Sequence, residues 1–202
     1  MEPAPAGESP SDDGQPAAAE PAKSAISLAP AGNATPPLDG GRVQSTMPEG
    51  WKFLPRSADY LFAAYYQEKG GVPRIVLRQE DAGDLPTTDS ADSAKPLADK
   101  LKAEFQGNEP QFSVLHVGEN WFVRFEKKMS FRSEKAAGLF LVTVQGGKRY
   151  TIELLTLAEK KEEFLPALYR FAADLKVATA EPAEASMPTE EPGPGEEPAQ
   201  PM

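Results

Sequence analysis

Cysteine is absent from the 202 residues, and histidine occurs once, at His116. The first absence excludes a disulfide framework, thiol catalysis and cysteine-bound metal, and leaves the compartment open. The second means that a histidine-based zinc site would need carboxylates for every remaining ligand. No run approaches the roughly 18–20 apolar residues of a membrane span, and no charged-then-apolar leader opens the chain. Aromatic residues are missing from both ends. None of the ten Phe, five Tyr and two Trp falls in 1–41 or 178–202, whereas fourteen of the 21 prolines do. A Pro/Ala/Glu/Ser stretch without aromatics cannot bury enough apolar surface to offset its ordering entropy, so both ends are expected to be disordered tails.

The ends also carry the acidity. Of the formal charge of −10, the two tails contribute twelve acids against one lysine, and residues 42–177 hold 20 bases and 19 acids. A near-neutral domain between acidic ends lacks the basic patch that phosphate neutralisation requires, so no nucleic-acid partner is expected. Met1 stands directly on a linker-like stretch of Pro, Ala, Ser and Glu. That is the composition of a tether between an anchor and a domain, and it points to an extracytoplasmic protein, periplasmic, secreted or lipid-anchored, whose N-terminal anchor has been removed. Asn33-Ala34-Thr35 fits a glycosylation acceptor, a three-residue pattern of little specificity.

What remains is one domain, 42–177, long enough for a sizeable core. "RVQSTMPEGWKFLP" opens it with short strands about the Pro48-Glu49-Gly50 turn, and Trp51 and Phe53 return apolar side chains. "YLFAAYY" (60–66) and "PRIVLRQ" (73–79) read as a hairpin across Gly70-Gly71. An acidic loop over 80–93 follows. Leu97, Leu101 and Phe105 then predict a helix over 95–106 with Pro96 in its first turn and Gly107-Asn108 at its end. "QFSVLHV", "WFVRFEKKM", "GLFLVTVQ" and "KRYTIELLTL" predict four more strands, the last two joined at Gly146-Gly147, where a two-residue turn needs positive φ. Phe164, Leu168, Phe171 and Leu175 mark a final helix that starts near 161–163 so that Pro166 stays close to its first turn. The expected fold is α+β: an antiparallel sheet of about six strands flanked by two helices, an α-β-α sandwich between tails 1–41 and 178–202.

Two motifs carry a resemblance. Pro48-Glu49-Gly50-Trp51 resembles the early Pro-x-Gly-Trp turn of the PsbP-like family, and Gly146-Gly147-Lys148-Arg149-Tyr150-Thr151 resembles its late hairpin before the terminal helix. The likeness covers about residues 42–177. The closing "ADLKV" (173–177) departs from the Ser-Phe-type ending, and with one histidine no family metal-site residue carries over. The resemblance implies a binding or assembly module of exported or lipid-anchored proteins, since fold alone does not dictate activity.

No catalytic or cofactor constellation stands out, so no enzyme activity, metal or cofactor is expected. His116 reads as a half-buried structural residue. Asp81, Asp84, Asp89 and Asp92 lack the calcium-loop spacing and its turn glycine. The glycine pairs lack a phosphate-loop pattern, and Trp51 and Trp121 read as core anchors. An acid–base cluster of Asp81, Glu126 and His116 would have to be assembled by folding. Two surfaces are candidates for binding. In "EKKMSFRSEKAAG" (126–138), Met129, Phe131 and Arg132 sit among Lys127, Lys128 and Lys135, the composition of an interface centre, or else the strands simply extend and pack both apolar side chains inward. The other candidate is an anion or lipid pocket between sheet and helix, lined by Arg74, Arg78 and Arg124 if they share a sheet face. The expected function is a non-enzymatic protein-binding or assembly module tethered at the cell envelope; the alternative is a small-ligand carrier.

Overall fold

The computed structural model describes residues 26–55, 57–105 and 110–178. Along the chain come β1 (Ala31–Ala34), β2 (Val43–Gln44), β3 (Thr46–Pro48), β4 (Trp51–Phe53), β5 (Phe62–Tyr66), β6 (Arg74–Asp81), α1 (Ala91–Ala103), β7 (Ser113–Val117), β8 (Asn120–Phe131), β9 (Glu134–Gln145), β10 (Lys148–Leu157), α2 (Lys161–Ala173) and β11 (Lys176–Val177). The main sheet has seven strands, one more than expected, in the order β4-β5-β6-β10-β9-β8-β7. Every neighbouring pair is antiparallel.

The two helices cover opposite faces, as a sandwich requires. Residue parity shows why. In β9, Leu139 and Leu141 pack under α2 with Phe122, Ile152, Leu154, Leu168 and Phe171. Val142 and Val144 face the other way, against Leu97 and Leu101 of α1 with Val123 and Phe125. "GLFLVTVQ" is therefore apolar from Leu139 to Val142 and again at Val144 because both of its faces are covered. Phe62 and Phe171 stack at 5.3 Å, and Trp51 meets Phe164 edge-on at 6.3 Å.

Helix α1 begins four residues before the expected start. Ser90 forms a reciprocal cap: the Ser93 amide donates to Ser90 Oγ (3.2 Å) and the Ser90 amide donates to Ser93 Oγ (2.9 Å). That cap outweighs the preference of Pro96 for a first turn, and Pro96 stands inside the helix with its side chain in solvent. The helix ends at Ala103. Phe105 lies beyond it and packs edge-on against Phe112 and Phe125. The expected stop at Gly107-Asn108 lies outside the described residues.

Residues 26–41, read from composition as linker, are instead tied into the domain. Strand β1 pairs with β3. The Ala29 amide donates to the Pro166 carbonyl (3.0 Å), Arg170 Nε donates to the Ala29 carbonyl (2.8 Å), and Leu38 is buried in the α2-side core. Thr35 is buried too, its Oγ1 accepting from the Ser45 amide, so the Asn33-Ala34-Thr35 pattern spans the end of β1 and a buried threonine. Composition tests whether a segment can build its own core. This one hydrogen-bonds to a core made by others. At the far end β11 pairs with β2, and the Ala178 amide donates to the Arg42 carbonyl. Residues 1–25 and 179–202, the rest of the expected tails, lie outside the described residues.

Where α2 ends, it abuts the β7–β8 turn. A Cβ on Gly118 would lie 2.2 Å from the Ala173 carbonyl oxygen, and φ there is +63°. At Gly147, φ is +72° with nothing within 4 Å. Gly147→Ala is thus expected to cost about 1 kcal/mol, the left-handed strain alone, whereas Gly118→Ala must also displace backbone and should cost more than about 2 kcal/mol. Urea unfolding of the two variants checks this, and equal losses would show that the close approach is unimportant.

Candidate functional site

The strands of the β8–β9 hairpin run through the whole of 126–138, so the extended-strand expectation describes its backbone. They close on a two-residue tip, Arg132-Ser133, with φ of +48° and +70° at non-glycine residues. The side chains are not packed into either core. Met129 is 37% exposed and lies across Gly138, where a Cβ would come within 2.6 Å of its sulfur and 2.9 Å of the Phe140 ring. Phe131 is half-buried with the Arg132 guanidinium 5.2 Å over its ring, and Arg132 is 3.9 Å from Glu68. Lys127 sits 4.4 Å over Phe105 and 5.3 Å over Phe140. Arg132 therefore lies over Phe131 at the tip, and Met129, two residues earlier on the same strand face as Phe131, lies against Gly138. Strand β7 pairs with β8 only as far as Arg124, and from Glu126 to Phe131 the outer edge of β8 has no strand partner among the described residues.

The three arginines do not share a face. Arg74 and Arg78 do, as residues four apart on one strand must. Through the register Arg78↔Thr151↔Val142↔Val123 they belong to the α1 side. Arg124 pairs with Leu141, which pairs with Ile152, and so belongs to the α2 side. One residue of offset between β6 and β8 separates them, and sequence spacing within single strands cannot show it. Arg78 is also occupied: it makes a short ion pair with Glu153, which is 5% exposed. Arg149 lies beside this pair, bonded through Nη1 to Glu104 at 3.2 Å.

On its own side Arg124 faces a pocket of about 330 Å³ lined by Ile26, Ser27, Leu115, Arg124, Glu162, Leu165, Pro166 and Tyr169. Its Nη1 donates to the Tyr169 hydroxyl at 2.9 Å. No carboxylate of the described residues lies within 4 Å of Arg124; Glu126 and Glu162 are both engaged by Lys161, at 3.0 and 3.6 Å. Burial raises the Tyr169 hydroxyl above its usual 10.0, with Arg124 pulling it down and Glu162 pushing it up, so it is a neutral O–H near pH 7. This pocket was invisible in the sequence because Ile26 and Ser27, one of its walls, fell in the presumed linker.

The remaining candidates are dispersed. His116 is exposed, not half-buried, and stacks 4.5 Å from Trp121, which is itself half-buried. It faces the α1 side, while Asp81 and Glu126 have the parity of the α2 side, so the three make no cluster. Asp81 pairs with Lys148, Asp84 with Lys100 and Asp92 with Lys95, and each lysine holds its carboxyl below the usual range. Asp89 accepts from Thr87 Oγ1. Among the described residues no group of three His, Asp or Glu is placed to hold a metal, and no helix is long and apolar enough to cross a membrane. Phe53, expected inward, has inward parity but is 56% exposed at the outer end of edge strand β4.

No protein-family model matches the chain, and no characterised protein matches it in sequence. Solved structures do. One from Bacteroides thetaiotaomicron VPI-5482 superposes with a TM-score of 0.51 at 11% identity, over 72% of this chain and 48% of that one. The chain therefore spans about half the length of that protein. The solution structure of cyanobacterial PsbP (CyanoP) from Synechocystis sp. PCC 6803 gives 0.42 at 14% identity, over 67% and 86%. LpqN, involved in cell envelope biogenesis of Mycobacterium tuberculosis, gives 0.44 at 18% identity, over 67% and 83%. A PsbP protein is thus among the structures this chain is similar to. The likeness is one of fold.

Glu153 gives this region a stability test. Arg78→Leu leaves a buried carboxylate without its partner and is expected to cost about 2–3 kcal/mol in urea unfolding. The double variant Arg78→Leu/Glu153→Leu should recover most of that loss, because two apolar side chains replace a desolvated pair. A double variant no better than the single one would show that the pair is not the origin of the loss.

Proposed function

We propose that the chain is a non-enzymatic protein-binding module that docks through the β8–β9 hairpin onto an extended, acidic segment of its partner. The observation that supports this best is the outer edge of β8, Glu126–Phe131, which has no strand partner among the described residues, with Met129 lying exposed on Gly138 beside it. A strand laid along such an edge gains main-chain hydrogen bonds, and alternate side chains gain contact with Met129 and Phe131. Lys127, Lys128, Arg132 and Lys135 surround the edge. Between two copies of this chain those cations repel and block edge-to-edge pairing. Toward an acidic strand the same charges attract and speed encounter.

The module is placed outside the cytoplasm and tethered at the envelope through residues 1–25, on the tether-like composition of that stretch. Fractionation of cells expressing the natural gene product tests this placement, and recovery in the cytosol would overturn it.

The docking surface is tested by cross-linking the full chain to its partner in extracts of the source organism. The wild type should retain a partner that the triple variant Met129→Ala/Phe131→Ala/Arg132→Ala loses, with an unchanged melting temperature. Retention should also fall as salt rises, since cations at an exposed rim are screened beyond roughly a Debye length of 8 Å at physiological ionic strength. A partner held equally by the triple variant would overturn the assignment.

A further inference from the structure

The pocket beside Arg124 lies on the opposite face of the sheet from Met129 and has no part in the docking surface. Its chemistry is that of a ligand site. Leu115 on β7, Leu165 and Pro166 on α2, and Ile26 from the N-terminal segment form apolar walls, and the guanidinium of Arg124 stands among them. That guanidinium has five N–H donors, and among the described residues the one hydrogen bond it makes is to Tyr169. Since the Tyr169 oxygen accepts there, its own hydrogen is free to be donated. Arg124 and Arg74 are the arginines of the described residues without a carboxylate within 4 Å. A half-buried cation without a counter-ion is unfavourable, and an anion that fits the pocket removes that penalty.

We infer that this pocket binds a small monocarboxylate with an apolar body, its carboxylate on Arg124 and the Tyr169 hydroxyl and its hydrocarbon against Ile26, Leu115, Leu165 and Pro166. The volume lies at the small end of the roughly 300–1,000 Å³ usual for ligand sites, which favours one short chain or ring over a diacyl lipid. A guanidinium matches the two oxygens of a carboxylate, and a planar pair of donors is more selective for it than a point charge. The Glu162 carboxylate at the rim is engaged by Lys161. It repels a second negative charge on the ligand, which selects a monoanion. The wall formed by Ile26 and Ser27 is held by the two hydrogen bonds to Ala29, from its amide to Pro166 and to its carbonyl from Arg170. The site is therefore built from the two ends of the described fold and exists only when both are in place.

Octanoate is the probe, titrated into the full chain and followed by amide chemical shifts. Saturable shifts at Ser27, Leu115, Arg124 and Tyr169 are expected below about 10 mM, and octan-1-ol, with the same chain and no charge, should bind at least tenfold more weakly, because charged hydrogen bonds carry the difference. Arg124→Met should weaken octanoate at least tenfold, and Tyr169→Phe severalfold, while neither changes partner retention by the hairpin. Should Arg124→Met fail to fold, the octanol comparison and Tyr169→Phe decide. Equal affinity for octanoate and octanol, shifts confined to residues outside the pocket, or undiminished binding in a folded Arg124→Met would each overturn the inference. A partner held equally by the Met129→Ala/Phe131→Ala/Arg132→Ala variant, with octanoate binding intact, would overturn the proposed function and leave this site standing.

Discussion

Strand β10 lies between β6 and β9, and its eight-residue pairing with β6 joins the N-terminal hairpin to the C-terminal meander in one sheet. Nothing else in the main sheet connects the two halves by a ladder. Because side chains alternate strictly, a slip of one residue in this pairing would turn Leu77 and Ile75 from the α2 core to the other face and present Arg78 to the core in their place. Ile152 and Leu154 on one side, Glu153 and its pairing with Arg78 on the other, hold the register from both faces. The placement of Arg74 and Arg78 relative to the rest of the sheet follows from it.

That register also explains why the two faces of the sheet do different things. The link from β6 to β7 must cross the sheet, and it carries α1 over β7, β8 and β9, where Val123, Phe125, Val142 and Val144 receive Leu97 and Leu101. The part of this face over β6 carries Arg74 and Arg78, with Glu153 paired to Arg78 and Arg149 bonded to Glu104 at the end of α1. Helix α2 lies on the other face with β1 and residues 26–30 beside it. The gap between α2, edge strand β7 and that N-terminal segment is the Arg124 pocket. One face therefore ends in an exposed strand edge with a basic rim, and the other in a concave, apolar site with one uncompensated cation.

The long periodic elements could be read directly from the residues. Two-sided apolarity at "GLFLVTVQ", the Gly146-Gly147 turn and the stripe of Phe164, Leu168 and Phe171 each have one physical solution, a doubly covered strand, a tight hairpin and an amphipathic helix. The errors have causes of equal definiteness. Helix α1 starts early because a Ser90–Ser93 cap is a local bond that an apolar-period reading does not register. Strand β1 was missed because Ala31-Gly32-Asn33-Ala34 contributes almost no apolar area, and small size is what admits it: a Cβ at Gly32 would be 3.0 Å from the carbonyl oxygens of Met47 and Pro48.

Sequence alone determined the class of the fold, the number of its helices and the six longest strands, because all of these depend on residues close together in the chain. Tertiary structure decided which arginines face which way, that His116 is exposed, and that Ile26 stands opposite Leu115 and Tyr169. These depend on strand order and on register between segments roughly fifty to 140 residues apart. Local periodicity assigns a side chain to one of two faces of its own strand, and only pairing across the sheet says which face of the molecule that is.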